Sequence, residues 1–158
     1  MSQYQYGDVN PIVAPISTDK EANVGDLVAL NVASGTITKA SEQAWNSDLA
    51  TTQSDFVLKY LGVCAQKKML NSGRVFGNSE DNVIRCDSSG VFAFDCTQAD
   101  YSIGQFVGPA KDTTDALLNQ TVEAVADSSK AIGVVVEGGV ALTTVKVRLL
   151  STLAPLSR

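Results

Sequence analysis

The stretch Val24-Gly25-Asp26-Leu27-Val28 is repeated, 79 positions later, as Ile103-Gly104-Gln105-Phe106-Val107. A second pair, Lys59-Tyr60-Leu61-Gly62-Val63 and Lys130-Ala131-Ile132-Gly133-Val134, is separated by 71 positions. Each phrase carries a glycine where an extended run begins, which is where a chain turns or is closely approached by another. The common order predicts two related β-units, over about 24–64 and 103–150. Two copies are too few for a solenoid, so a single closed or sandwiched domain is expected.

Composition narrows the function classes. Charged residues make up 18% of the 158 residues, below the typical value of about 25%. Such a weakly charged surface is typical of a protein that faces other subunits, although a large core gives the same figure. The net charge is −5, and the densest basic stretch, Lys67 and Lys68 with Arg74, is expected to be a solvated loop. An acidic protein with one small basic stretch lacks the clustered basic face that nucleic-acid binding requires.

The sequence contains no histidine, which excludes Ser-His-Asp and Cys-His catalysis and His-ligated metals. Neither the P-loop nor the dinucleotide-binding glycine pattern occurs. The acidic residues lie mainly at turns, and the group Glu80-Asp81-Asn82 with Asp87 lacks the spacing of a calcium-binding EF-hand. We therefore predict no catalytic residues, no cofactor and no metal.

The first residues have neither a basic nor an apolar region of a signal peptide, and no apolar run has the length of a membrane span. These features predict a soluble protein made in a cytoplasm, with no membrane partner. Cys64, Cys86 and Cys96 are therefore expected to be reduced and to lie in the core as small apolar residues.

The remaining pattern predicts about nine strands. Phe56–Ala65 is expected to be one strand, and 82–87 with 90–95 a hairpin that turns at Ser88-Ser89. A short helical insertion is expected within 41–55, capped by Ser41 or Ser47 and carrying Trp45. The fold class is thus all-β: a single-domain β-barrel or tulip-like sandwich built from two related β-units, with one short helix and an extended N-terminal arm.

The arm is assigned to residues 1–20 and the β-domain to residues 21–158. Two prolines kink the arm, which needs a surface to lie against: its own barrel or a neighbouring subunit. The segment 66–82 is expected to be a mobile polar loop. The predicted protein-contact residues lie on the arm, in the insertion and in this loop: Tyr4, Tyr6, Pro11, Ile12, Val13, Pro15, Ile16, Trp45, Lys67, Lys68 and Arg74.

Several phrases together resemble a known family. They are Tyr4-Gln5-Tyr6-Gly7-Asp8-Val9-Asn10-Pro11, Val24-Gly25-Asp26-Leu27-Val28, Tyr60-Leu61-Gly62-Val63, Gly90-Val91-Phe92-Ala93-Phe94, Ala131-Ile132-Gly133-Val134 and Val145-Lys146-Val147-Arg148. With these the chain resembles the capsid decoration, or cement, proteins of bacteriophages and prophages. The resemblance implies a non-enzymatic virion protein on the outer capsid surface, a trimer or dimer that clamps major capsid subunits through its arm. It also implies that deletion of 2–16 leaves a folded domain that no longer binds capsids.

An alternative from another class is a head-fibre or receptor-binding module that recognises carbohydrate. Such a site needs exposed aromatic side chains around a groove. The sequence offers Trp45, Tyr60 and Tyr101 for this role.

Overall fold

The computed structural model describes residues 2–152, in which strands dominate and one short α-helix occurs. Residues 1 and 153–158, the ends of the predicted arm and domain, lie outside the described residues. The elements are β1 (Gln3–Tyr6), β2 (Pro11–Pro15), β3 (Leu27–Asn31), β4 (Thr36–Lys39), α1 (Leu49–Val57), β5 (Tyr60–Cys64), β6 (Val83–Asp87), β7 (Val91–Tyr101), β8 (Phe106–Lys111), β9 (Leu117–Ala124), β10 (Gly133–Glu137) and β11 (Gly139–Leu149). The predicted all-β class is confirmed.

The strands form two sheets. The first has the order β1-β7-β11-β10-β8-β9, and β9 also pairs in parallel with β7 at Asp95↔Thr121 and Cys96↔Val122. This additional pairing closes β7 to β11 into a barrel, with β1 added along part of β7. The second sheet has the order β2-β6-β5-β3-β4 and is antiparallel throughout.

The two sheets are built on one plan. We call β2 to β6 unit 1 and β7 to β11 unit 2; in both, the strands follow the same spatial order. The repeated phrases occupy matching places, since Gly25 N donates to Cys64 O at 2.8 Å and Gly104 N donates to Val135 O at 2.8 Å. The two related β-units seen in the sequence are therefore two copies of one five-strand arrangement.

The first phrase is a turn that starts a strand. In unit 1 the backbone N–H of Asn23 donates to Asp26 Oδ2 at 2.9 Å, and in unit 2 the N–H of Ser102 donates to Gln105 Oε1 at 3.1 Å. The glycine of each phrase has a positive φ, +99° at Gly25 and +88° in its counterpart, a conformation that other residues adopt at a cost. The side chain after the glycine thus closes the turn in both units.

The second phrase needs glycine because another backbone passes over it. A Cβ at Gly62 would lie well under 3.0 Å from the carbonyl oxygen of Asp87, and a Cβ at Gly133 would meet that of Arg148 in the same way. In each unit the approaching carbonyl belongs to the next strand of the sheet, β6 or β11. Close approach of two strands therefore explains this repeated glycine.

The first three residues of strand β3 are buried on both faces, which accounts for the apolar run at its start. Leu27 and Ala29 join a large core shared by the two units, whereas Val28, between them, joins a smaller core on the outer side of unit 1. The smaller core is covered by residues after β2 and by the 66–82 segment, through Ile16 and Val75.

The predicted hairpin around Ser88-Ser89 is wrong. Strand β6 belongs to the second sheet and β7 to the first, so the two strands are not partners. Gly90, with φ +109°, directs the chain from unit 1 into unit 2, and the N–H groups of both serines donate to Val9 O. Alternation of apolar residues located both strands, although β7 continues to Tyr101, past the predicted end at residue 95. It carries no information about which sheet a strand joins.

The helix prediction needs two corrections. Helix α1 begins after Asp48, whose carboxylate accepts the N–H of Thr51 at 2.8 Å, so neither predicted serine is the cap. The helix continues to Val57, and the strand expected over Phe56–Ala65 begins only at Tyr60. Phe56 is buried in the large core. A short apolar run can be buried in either a helix or a strand, so the sequence pattern does not distinguish the two.

The arm lies on its own chain. Its residues form β1 and β2, which extend the first and the second sheet, and Ala14 and Ile16 belong to the smaller core. Removal of 2–16 would therefore take away two strands, so the expectation that this deletion leaves a folded domain is withdrawn. The three cysteines are free and buried, as predicted.

Candidate protein-contact surfaces

A cleft of about 930 Å³ separates β1 from unit 1. One wall consists of Ser2, Gln3 and Tyr4, and the base includes Phe92 and Val63. The Tyr4 ring packs edge-on against the Phe92 ring at 5.6 Å between centroids. The remaining residues that line the cleft come from neighbouring loops and strands: Val9, Asn23, Val24, Gly25, Cys64, Ala65, Lys67, Arg85, Asp87 and Gln120. The cleft is thus mostly apolar, with three charged side chains in its lining: Lys67, Arg85 and Asp87.

The charged side chains of the lining are one buried acid and two cations. Asp87 is only 7% exposed, and burial raises the pKa of its carboxyl group, while the nearby Arg85 guanidinium opposes this shift. Arg85 Nη2 lies 3.5 Å from Asp87 Oδ1. Lys67 is exposed and makes no ion pair within the described part of the chain.

The segment 66–82 is held by a buried lysine, which corrects the prediction of a solvated basic loop. Lys68 is 1% exposed, and its ammonium group donates to the carbonyl oxygens of Thr18, Lys20 and Met69. Its backbone bridges to Ala22 and Val75. Burial lowers the pKa of Lys68, an effect that the charge of Asp19 opposes. Backbone carbonyls thus replace the water that a surface lysine would have.

This fixed segment exposes large apolar side chains. Met69, Leu70 and Phe76 are each between 51% and 56% exposed. On the neighbouring strand β2, Val13 is 67% exposed and lines a shallow depression with Asn78. We call these four exposed side chains, which lie on or beside the same segment, the apolar patch. The three on the segment were missed by sequence reasoning, because a loop rich in Asn, Ser and Gly was taken to be mobile.

Trp45 lies before α1, half-buried, with the Lys111 ammonium 5.3 Å from its ring centroid. The insertion that carries it bridges to unit 2: Gln53 Nε2 donates to Pro109 O at 2.9 Å, and Ser41 N donates to Asn119 Oδ1 at 2.8 Å. The insertion therefore fastens the two units together.

The other predicted contact residues divide by exposure. Pro11, Val13 and Pro15 are exposed, Ile12 is half-buried, and Tyr4 and Tyr6 are close to half exposed. Lys67 and Arg74 are exposed. Ile16 and Lys68 are buried, the first by the smaller core and the second by backbone carbonyls, so we remove both from the contact set.

Residues 2–152 contain neither a metal-ligand cluster nor a membrane-spanning helix. No group of three or more Cys, Asp or Glu side chains is placed to hold a metal ion there. Within the same range, no helix has the length and apolarity to cross a membrane. Tyr60 and Tyr101, two of the three aromatics that a carbohydrate site would use, are buried in the large core.

No protein-family model matches the chain, and no curated protein is found to be similar to it.

Proposed function

We propose that this chain is a capsid decoration protein, a non-enzymatic component of a phage virion that binds the outer capsid surface and stabilises the lattice of major capsid subunits. The observation that carries the proposal is the apolar patch. Three of its large side chains are exposed on a segment that a buried lysine and two backbone bridges hold in place. Exposed apolar groups on an ordered segment favour a protein partner.

The proposed mechanism is repetition of one modest contact. A capsid presents the same site many times, so weak single contacts add up when the bound copies are linked to one another. We therefore also propose that the protein self-associates, as a trimer or a dimer. Sedimentation velocity at micromolar concentration tests this part, and a species that remains monomeric over the whole range would contradict it.

The binding proposal is tested by co-sedimentation with particles of the virus that encodes the chain, stripped of bound decoration. The wild type is expected to pellet with the particles. The double variant Met69→Ser/Phe76→Ser is expected to bind about tenfold more weakly or worse, since central apolar residues supply most of the energy of a protein contact.

The matched control is Val32→Ser/Val140→Ser, which also removes two exposed apolar side chains but lies outside the patch. It is expected to bind as the wild type does. A wild type that stays in the supernatant would overturn the proposed function. Equal binding by both double variants would show that the patch is not the contact.

A further inference from the structure

The cleft between β1 and unit 1 runs along an open strand edge. Successive residues of a strand point to opposite faces, yet Gln3 and Tyr4 of β1 both line this one cleft. This requires the cleft to follow the edge of β1 rather than one of its faces. β1 is the outermost strand of the first sheet, with β7 on its other side.

The hydrogen-bond register shows which backbone groups face the cleft. Leu149 N donates to Gly90 O, so in the same register Val147 and Phe92 form a hydrogen-bonded pair between β11 and β7. Adjacent residues of an antiparallel strand direct their backbone groups to opposite neighbours. Ala93, the residue after Phe92, therefore bonds in the other direction, to Gln3 on β1.

It follows that Tyr4, the next residue of β1, directs its N–H and C=O away from β7 and towards the cleft. Among the strands of residues 2–152, β1 pairs with β7 alone, so neither group has a strand partner. An unpaired N–H and C=O on a strand edge are the groups that an added strand uses. The cleft thus offers main-chain pairing at Tyr4, beside Ser2, whose N–H donates to Gln120 Oε1, and an apolar base.

The charges define what such a strand must carry. The protein as a whole is acidic, with a net charge of −5. At the cleft, however, Arg85 and Asp87 form a pair and Lys67 contributes a further positive charge without a described partner. An acidic side chain on the incoming segment would complement Lys67, and a basic one would be repelled.

We propose that this cleft binds an extended acidic segment of a partner protein, added as a strand to β1, with apolar side chains towards Phe92 and a carboxylate towards Lys67. The partner is assigned as the major capsid protein, and only that assignment rests on the proposed function. The cleft would then be a second contact, separate from the apolar patch.

The cleft itself is tested on the isolated protein by amide NMR titration with two seven-residue probe peptides, in which valine alternates with glutamate or with lysine. We expect the glutamate peptide to shift the amide resonances of Tyr4, Val63 and Phe92, and the lysine peptide to bind at least tenfold more weakly. Lys67→Glu should weaken binding of the glutamate peptide at least tenfold. Lys59→Glu, the same change at a lysine outside the cleft, should leave that binding unaltered. Equal binding of both peptides, or shifts confined to another surface, would overturn the inference.

The source of the segment is tested by competition with overlapping peptides of the major capsid protein. Displacement of the glutamate probe by an acidic, apolar capsid peptide supports the assignment. If the probe binds the cleft and no capsid peptide displaces it, the assignment to the capsid protein fails while the cleft inference holds. If the probe fails to bind but the wild type pellets with capsids, the cleft inference fails and the proposed function holds.

Discussion

Units 1 and 2 share a strand order but differ in how they close. In unit 2, β9 pairs in parallel with β7 and completes a barrel. In unit 1, the corresponding strands β2 and β4 approach within 8 Å between Cα atoms but form no ladder in the part of the chain that the structure describes. The same arrangement therefore leaves one unit open.

Two prolines explain the open edge. Ile16 N donates to Asn82 O, and in this register Pro11, Val13 and Pro15 are the residues of β2 whose backbone would bond away from β6. Proline has no N–H, so two of these three positions cannot donate to a further strand. The comparison shows that sequence changes at an edge can alter closure without altering strand order.

The units also differ in what connects their strands. Between β10 and β11 the chain passes through Gly138 alone, whereas between β5 and β6 it inserts the 66–82 segment. That segment covers the smaller core and carries most of the apolar patch. The contact proposed for the apolar patch therefore lies mainly on a segment that unit 2 lacks.

The largest effect is expected at the matched glycines. Gly62→Ala and Gly133→Ala each place a Cβ against a backbone carbonyl that cannot move aside without breaking its sheet. Each should cost about 3 kcal/mol or more of unfolding free energy, by chemical denaturation. The control is Gly35→Ala, where nothing lies within 4 Å of the added Cβ and only the positive φ is unfavourable. If either Gly62→Ala or Gly133→Ala left the free energy of unfolding unchanged, the two glycines would not be equivalent.

Lys68→Met should destabilise unit 1 alone. Three backbone carbonyls lose their donor, and leaving buried acceptors unpaired costs about 1–3 kcal/mol. Lys67→Met, at the adjacent exposed position, is expected to stay within about 0.5 kcal/mol of the wild type. In the Lys68→Met variant, amide hydrogen exchange should accelerate more in β2 and β6 than in β10 and β11. Equal acceleration in both units would argue against a separate role for this lysine.

A difference in sign is expected between two buried tyrosines. The Tyr60 hydroxyl is buried without a described hydrogen-bond partner, whereas the Tyr101 hydroxyl donates to Thr97 O at 2.8 Å. Tyr60→Phe should therefore raise the free energy of unfolding by about 1 kcal/mol, and Tyr101→Phe should lower it by a similar amount, as measured by thermal denaturation. A loss of stability in both variants would contradict the predicted difference between the two hydroxyl groups.

The smallest effect concerns pH. Burial raises the pKa of Asp87 in the folded state above its ordinary value of 3.8. In unit 1 Asp87 lies against Gly62, and in unit 2 the exposed Arg148 takes the equivalent place against Gly133. A raised carboxyl pKa contributes stability that is complete below the ordinary pKa and is lost as pH rises through the folded-state pKa. From about pH 4 to about pH 7, urea denaturation should show a shallower fall for Asp87→Asn than for the wild type. Parallel curves would refute this.

Much of the fold could be predicted from local pattern. The repeated glycines located both turns and both close approaches, because each requirement is set by a few neighbouring atoms. The candidate site was predicted less well. Lys68 was taken as solvated, since no local pattern reveals that carbonyls of residues 18 and 20 surround it. The patch residue Phe76 was missed for a related reason: its exposure depends on how the whole segment is held.

The sequence by itself determined the all-β class, the two related units, the buried free cysteines and the turn geometry of the repeated phrases. Each depends on period, backbone conformation or composition, which act over short distances along the chain. Only the tertiary structure decided that β6 and β7 lie in different sheets and that the arm supplies two strands. It also placed an open strand edge beside an apolar cleft. These features depend on pairing between residues far apart in sequence, which local patterns do not specify.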